Sequence, residues 1–221
     1  SKGKFIYILN SDDEIHKDSF SKFYNAYLKN NNIDLFTSIG IEFKDSKINY
    51  HRKRIFTDAK LFEKGIIKFK SQSILGCFIS KETYQKLNFF NIKYSISSDK
   101  DFLIKMALSK LRVNNIMHNS YFIRSHIDST TFGNSSKNKL KQAIFQNFEI
   151  VEEYLNNKNT LLGVKYFCKQ IYVYRKIQLI KINKNFSFLN KLKEILYLFP
   201  HFILLLIYFM RIKVYEKLIN Y

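Results

Sequence analysis

Cysteine, proline, glycine and tryptophan are all scarce in this chain, with two, one, six and none among 221 residues. Cys77 and Cys168 sit in apolar sequence with no Cys-x-x-Cys or Cys/His spacing around them. That excludes a disulfide framework and a cysteine-based zinc site, and leaves two buried, reduced thiols. No internal repeat and no low-complexity linker interrupts the sequence, which argues against a solenoid or a string of tethered modules. Nothing at the N-terminus resembles a signal peptide, because Ser1-Lys2-Gly3-Lys4 leads straight into an apolar run; the expected location is the reducing cytoplasm. Acidic residues are also few, 18 against 37 basic ones, for a formal charge of +19. Such an excess raises nucleic acid, anionic membrane or phosphorylated substrates as partners. Lys, Asn, Ile and Phe are enriched along the whole chain, so part of the charge reflects general composition and does not choose among these partners.

What is present is apolar and aromatic: 46% hydrophobic residues, including 22 Phe and 15 Tyr. That composition builds one sizeable core, or one domain with an appendage. The most informative stretch is Phe5-Ile6-Tyr7-Ile8-Leu9-Asn10-Ser11-Asp12-Asp13, an apolar run that ends in two adjacent carboxylates. A continuous apolar run reads as a strand covered on both faces, and ligands of open α/β sheets gather beyond the carboxyl ends of such strands. Two acids there suit a hard divalent ion, Mg²⁺ or Mn²⁺, whose shell substrate phosphates complete. Ser11-Asp12-Asp13-Glu14 equally fits a Ser-x-x-Glu capping box opening a helix, and the local pattern leaves both readings open.

Phe20, Phe23, Tyr24, Tyr27 and Leu28 then recur at helical spacing over residues 17–29, predicting an amphipathic helix packed on the first strand. Residues 33–41 read as a second strand, completing a strand–helix–strand unit with right-handed crossover. A basic hairpin-like region follows over 41–56, whose His51-Arg52-Lys53-Arg54 cluster reads as a solvated loop or a phosphate contact. Lys70-Ser71-Gln72-Ser73-Ile74-Leu75-Gly76-Cys77-Phe78-Ile79 ends as a short strand, and Ser80-Lys81-Glu82-Thr83 opens a helix. Ser97-Ser98-Asp99-Lys100-Asp101-Phe102 leads into another helix, with Asp99 at or just before its first turn, where a simple cap is the ordinary meaning. Strands are expected over 113–117 and 121–124, before the polar loop His126-Ile127-Asp128-Ser129. A histidine in such a loop is ordinarily a solvated side chain.

From Ser135 onward long helices take over, with apolar stripes over 143–154 and 161–182. Residues 195–210 are mostly apolar, broken by Pro200 and His201 and flanked by Lys191, Lys193, Arg211, Lys213 and Lys217. The stretch falls short of the roughly 20 residues that span a bilayer. It fits a helix lying in the membrane interface and drawn to anionic lipid, or a core helix that covers another part of the fold.

Three motifs in order resemble the family 2 glycosyltransferases of the GT-A fold. Gly3 through Asp13 resembles that family's strand and aspartate motif, with Asn10 where the first Asp usually stands. Ser98-Asp99-Lys100-Asp101-Phe102 resembles its later acidic motif, and Tyr121-Phe122-Ile123-Arg124-Ser125-His126-Ile127-Asp128-Ser129 the segment near the end of the catalytic domain. The resemblance covers residues 1–154. It implies an inverting enzyme that uses a nucleotide-sugar donor, a divalent metal on Asp12 and Asp13, and Asp99 as general base. It further implies Arg124 and His126 beside the donor's diphosphate, and Gln72 and Asp101 in contact with substrate. The implied fold is α/β, the C-terminal part of a GT-A (Rossmann-like) domain over 1–156, followed by a helical basic and apolar region over 157–221. The family's nucleotide-binding half has no counterpart ahead of Phe5, so the chain reads as the later part of something longer.

The function expected on these grounds is sugar transfer to a polysaccharide or lipid-linked acceptor, by a bacterial enzyme peripheral on the inner face of the plasma membrane. Two other classes stand beside it. One is a non-catalytic membrane-surface module that keeps the fold. The other is a basic nucleic-acid-binding protein, for which no reading motif is found; nucleic acid is therefore not an expected partner.

Overall fold

Two long strands run parallel through the middle of the sheet, β3 (Leu35–Lys44) and β6 (Val113–Ser125). The computed structural model describes residues 2–44, 53–56, 59–67, 73–125, 137–183 and 187–219. The order across the sheet is β1 (Phe5–Tyr7), β5 (Cys77–Ser80), β3, β6 and β2 (Glu14–Ile15), and β4 (Lys53–Phe56) pairs with β3 beyond the end of β5. Strand β5 is antiparallel to both β1 and β3, so β1 and β3 run in the same direction. Leu35 and Phe36 point to opposite faces and are both fully buried, as an apolar run without alternation predicts for a strand covered on both sides.

The first strand departs from that expectation. Phe5–Tyr7 is a three-residue edge strand, half-buried along its length, and Leu9 is exposed. Its apolar run reflects burial against one helix and one neighbouring strand, and the chain leaves the sheet after Tyr7 to reach the Asn10 turn.

Helix α1 (Ser19–Lys29) covers one face. Its Phe23 ring stacks on Phe78 with centroids 4.2 Å apart, and meets Phe5 and Phe36 edge-on at 5.1 and 5.3 Å. Offset and edge-to-face pairs of this kind add attraction beyond the buried area. The other face carries the main core: Leu35, Cys77, Ile79 and Val113 of the sheet meet Phe102 and Met106 of α4 (Ser98–Leu108). Ile150, Val151 and Tyr154 of α5 (Lys137–Asn156) and Val164, Phe167, Cys168 and Ile171 of α6 (Leu162–Ile182) complete it. Two short helices, α2 (Ala59–Glu63) and α3 (Lys81–Lys86), join the strands. Both cysteines are buried free thiols, pushed up to about 12 by burial.

The expected boundary after residue 156 does not divide the core, because α6 contributes to the same apolar cluster as α4 and α5. The polypeptide changes character later, at α7 (Phe188–Tyr197) and α8 (Phe199–Ile219).

Helix α6 approaches the sheet connection closely enough to require glycine. A Cβ on Gly163 would lie 2.5 Å from the carbonyl oxygen of Gly65 and 3.0 Å from Cα of Ile66. Both contacts are with backbone, so the overlap is relieved only by shifting the helix. Gly163→Ala is expected to destabilise the fold by about 1–3 kcal/mol, measured as a lower urea midpoint at unchanged slope.

Candidate active site

The acidic turn is built by its partners on β6. After β1 the chain folds back so that the Asp13 amide donates to the Asn10 carbonyl at 3.3 Å, while Asn10 Nδ2 donates to Asp13 Oδ2 at 2.9 Å. The Tyr121 hydroxyl donates to the same Oδ2 at 2.7 Å and accepts from the Asn10 amide at 3.1 Å. The Arg124 amide donates to Asp13 Oδ1 at 2.8 Å. Pairing of Glu14 and Ile15 with Phe122 and Tyr121 then fixes the chain beyond the turn. The Tyr121 side chain is fully buried. Burial raises its phenol above the ordinary range, the Asn10 amide opposes that rise, and the Asp13 carboxylate adds to it. Tyr121 therefore stays protonated and remains a donor.

This geometry excludes the helix-cap reading at Ser11. Glu14 lies in β2 and the next helix begins at Ser19, so Ser11-Asp12-Asp13-Glu14 does not cap a helix. Asp12 and Asp13 stand side by side, partly exposed, beyond the end of β1. A carboxylate has about four acceptor sites, and the three donors named above leave one on Asp13 Oδ1. Carboxylate oxygens at a rigid turn fit Mg²⁺ or Mn²⁺, which take one or two carboxylates and complete their shells with phosphate and water. Among the described residues no group of three or more His, Cys, Asp or Glu side chains could hold a metal. An ion on Asp12 and Asp13 would thus depend on a bound substrate for further oxygens.

Asp99 stands on a different element. It is the second residue of α4; Ser97 occupies the N-cap position and makes no side-chain cap bond. The Asp99 side chain is 51% exposed, with Lys100 Nζ 3.9 Å away. The loop before it is held from α5: Gln146 Oε1 accepts from the amides of Ile96 and Ser97 at 3.0 and 3.2 Å, and Asn147 Nδ2 donates to Ser97 Oγ at 2.8 Å. Arg175 of α6 also lies in its field. Burial lowers the Arg175 guanidinium, and the Asp99 carboxylate is among the groups that work against that. A half-exposed carboxylate on a braced helix end, with basic groups nearby, can accept a proton from an approaching hydroxyl.

Asp101 does not face a substrate. It is 1% exposed, accepts from the Tyr154 hydroxyl at 2.8 Å through Oδ1, and pairs with Lys105 at 2.8 Å through Oδ2. From the first turn of α4 it ties that helix to α5, which is a packing role. Arg124 has its amide on Asp13 and an exposed side chain, so it borders the acidic turn. Gln72 and His126 lie outside the described residues, as do His51 and Arg52. Tyr121, Gln146, Asn147 and Arg175 were not anticipated; Tyr121 carried a signal, as the tyrosine that opens the third motif.

No protein-family model matches the sequence, and no curated protein matches it. Solved structures do. S. aureus TarS, residues 1–349 in complex with UDP-GlcNAc, superposes with a TM-score of 0.53 at 13% identity, covering 83% of this chain and 51% of that one. A longer S. aureus TarS structure gives a TM-score of 0.49 at 13% identity, with 86% and 30% covered. TarS is a glycosyltransferase. At such identity the likeness is one of fold alone: this chain shares the fold of that structure, and it spans about half the length of TarS 1–349.

Proposed function

We propose that the chain is the metal- and acceptor-side part of an inverting, family 2 type glycosyltransferase of the GT-A fold. It transfers a sugar from a nucleotide-sugar donor to a polysaccharide or lipid-linked acceptor at the cytoplasmic face of a bacterial membrane. The observation that carries this reading is the Asn10–Asp13 turn, which Tyr121 and Arg124 lock to the sheet in a glycosyltransferase fold. In this reading Asp12 and Asp13 would hold Mg²⁺ or Mn²⁺, which would supply Lewis-acid stabilisation of the departing diphosphate. Arg124 would add positive charge beside it, and the family resemblance assigns His126 to the same diphosphate. Asp99 takes the proton of the acceptor hydroxyl as its oxygen bonds to the anomeric carbon. The bond from that carbon to the diphosphate breaks, the nucleoside diphosphate leaves with the electron pair, and the configuration inverts.

A melting experiment on the protein, carrying whatever precedes Ser1 in its gene, tests the donor. The UDP-GlcNAc bound to TarS makes uridine sugars the first to try, then guanosine sugars, each with Mn²⁺. A ligand at a hundred times its Kd stabilises by about 2.7 kcal/mol, and a domain of this size rises by about 2–4 °C per kcal/mol. A rise of that order, abolished by EDTA, is expected. An unmoved melting temperature with every nucleotide sugar favours the non-catalytic surface module.

A further inference from the structure

The last two described helices expose an apolar surface to water. Of the 23 exposed large hydrophobic side chains among the described residues, 14 lie between Phe188 and Met210. None of the ten residues of α7 is buried. Phe188, Leu189, Leu192, Ile195 and Leu196 are 42–79% exposed, and their spacing of one, three and four residues puts them on one stripe. Asn190, Lys191, Lys193, Glu194 and Tyr197 occupy the rest of that helix. After Leu198, which is buried, α8 begins with Pro200 in its first turn, a position where proline is tolerated. It meets α6 along a narrow seam: His201 lies 3.4 Å from Lys169 Nζ, and its ring centroid 5.1 Å from that of Tyr172. Beyond the seam Phe202, Ile203, Leu206, Phe209 and Met210 are all exposed.

We propose that α7 and α8 form an interfacial anchor that seats on an anionic lipid bilayer, with the α7 stripe and the outer side of α8 in the acyl boundary. Soluble monomers rarely leave a contiguous apolar patch of this extent uncovered. The combination of an exposed apolar face with basic borders selects lipid as the occupant. Residues 160–221 carry 11 lysines and arginines against two acids, with Lys191 and Lys193 on α7 and Arg211, Lys213 and Lys217 following the apolar part of α8. An apolar face bordered by basic residues is complementary to a surface of acyl chains beneath anionic headgroups. Among the described residues no helix is long and apolar enough to cross a membrane, so the helices lie along the surface.

Cosedimentation of the full chain with phosphatidylcholine vesicles, with and without phosphatidylglycerol, tests this directly. The wild type is expected to pellet with the anionic vesicles. Leu192→Glu combined with Leu196→Glu should weaken that partition at least about tenfold at an unchanged melting temperature, since neither side chain is buried. The chain has no tryptophan, so Leu192→Trp supplies a single emission that should shift to the blue on anionic vesicles. Vesicle binding unaffected by the two glutamates would overturn the proposal and assign binding to the basic body. A wild type that stays in the supernatant as a dimer, dissociated by the same glutamates, would overturn it in favour of a second copy as the occupant. Sugar transfer is not read in either measurement, so the proposal stands or falls apart from the donor reading.

Discussion

If the proposed function holds, Asp99→Asn is expected to lower turnover by about 10²–10⁴-fold, the range carried by a general base, while donor affinity stays the same. The carboxylate is half-exposed, and Lys100 at 3.9 Å is too distant for a direct hydrogen bond. It does not cap its helix, since Ser97 holds the cap position. The amide therefore replaces the acid at little cost to stability, and a loss of turnover would report chemistry. Single-turnover kinetics with saturating donor, beside calorimetric titration of the donor, separate the two quantities. Near-normal turnover would mean that Asp99 serves the helix end and that another group takes the proton.

The second large effect divides two adjacent acids. Asp13→Ala removes the acceptor for Tyr121, Asn10 and Arg124 at once, and leaves a buried phenol without the partner for its proton. A stability loss of about 1–3 kcal/mol is expected together with weakened metal-dependent donor binding. Asp12→Ala is expected to weaken the same binding while the Tyr121, Asn10 and Arg124 hydrogen bonds to Asp13 remain. Denaturation curves and donor titrations in Mn²⁺ on both variants give the comparison. Equal stability losses would show that the turn rests on both acids; unchanged donor binding in both would remove the metal site from this turn.

Sequence pattern disclosed the elements whose signals are local. The spacing of Phe20, Phe23, Tyr24 and Tyr27 anticipated α1, which runs over Ser19–Lys29, and the second strand was placed within a few residues of β3. Strand β6 was less legible. It read as two pieces because Asn114, Asn115, His118, Asn119 and Ser120 interrupt the apolar pattern. In the fold Asn115 accepts from Thr37 at 2.7 Å and from the Ala59 amide at 3.1 Å, and His118 lies 3.2 Å from His16. Partners so far away in sequence leave no trace in a local window, yet they are what allow polar residues inside a strand. The edge position of β1 was hidden for a related reason: Phe5, Ile6 and Tyr7 are needed by α1 and β5 whether or not a further strand lies alongside. At the candidate site, the residue types and order of Asp12, Asp13 and Asp99 were readable from motif resemblance. The burial of Asp101 against Lys105 and Tyr154 was not, because a charged residue near a helix start looks alike in sequence whether it faces water or a neighbouring helix.

The Tyr121–Asp13 hydrogen bond joins residues 108 apart in sequence, and that separation acts on the chain while it is being made. At about 5–20 residues per second, residue 121 follows residue 13 from the ribosome by roughly 5–20 s. Through that interval the acidic turn has neither Tyr121 to donate to it nor β6 to fix its far side. The parallel β3–β6 pair must close a long loop first, a slow step for any chain. The Asn10–Asp13 turn therefore cannot be complete until β6 has been made.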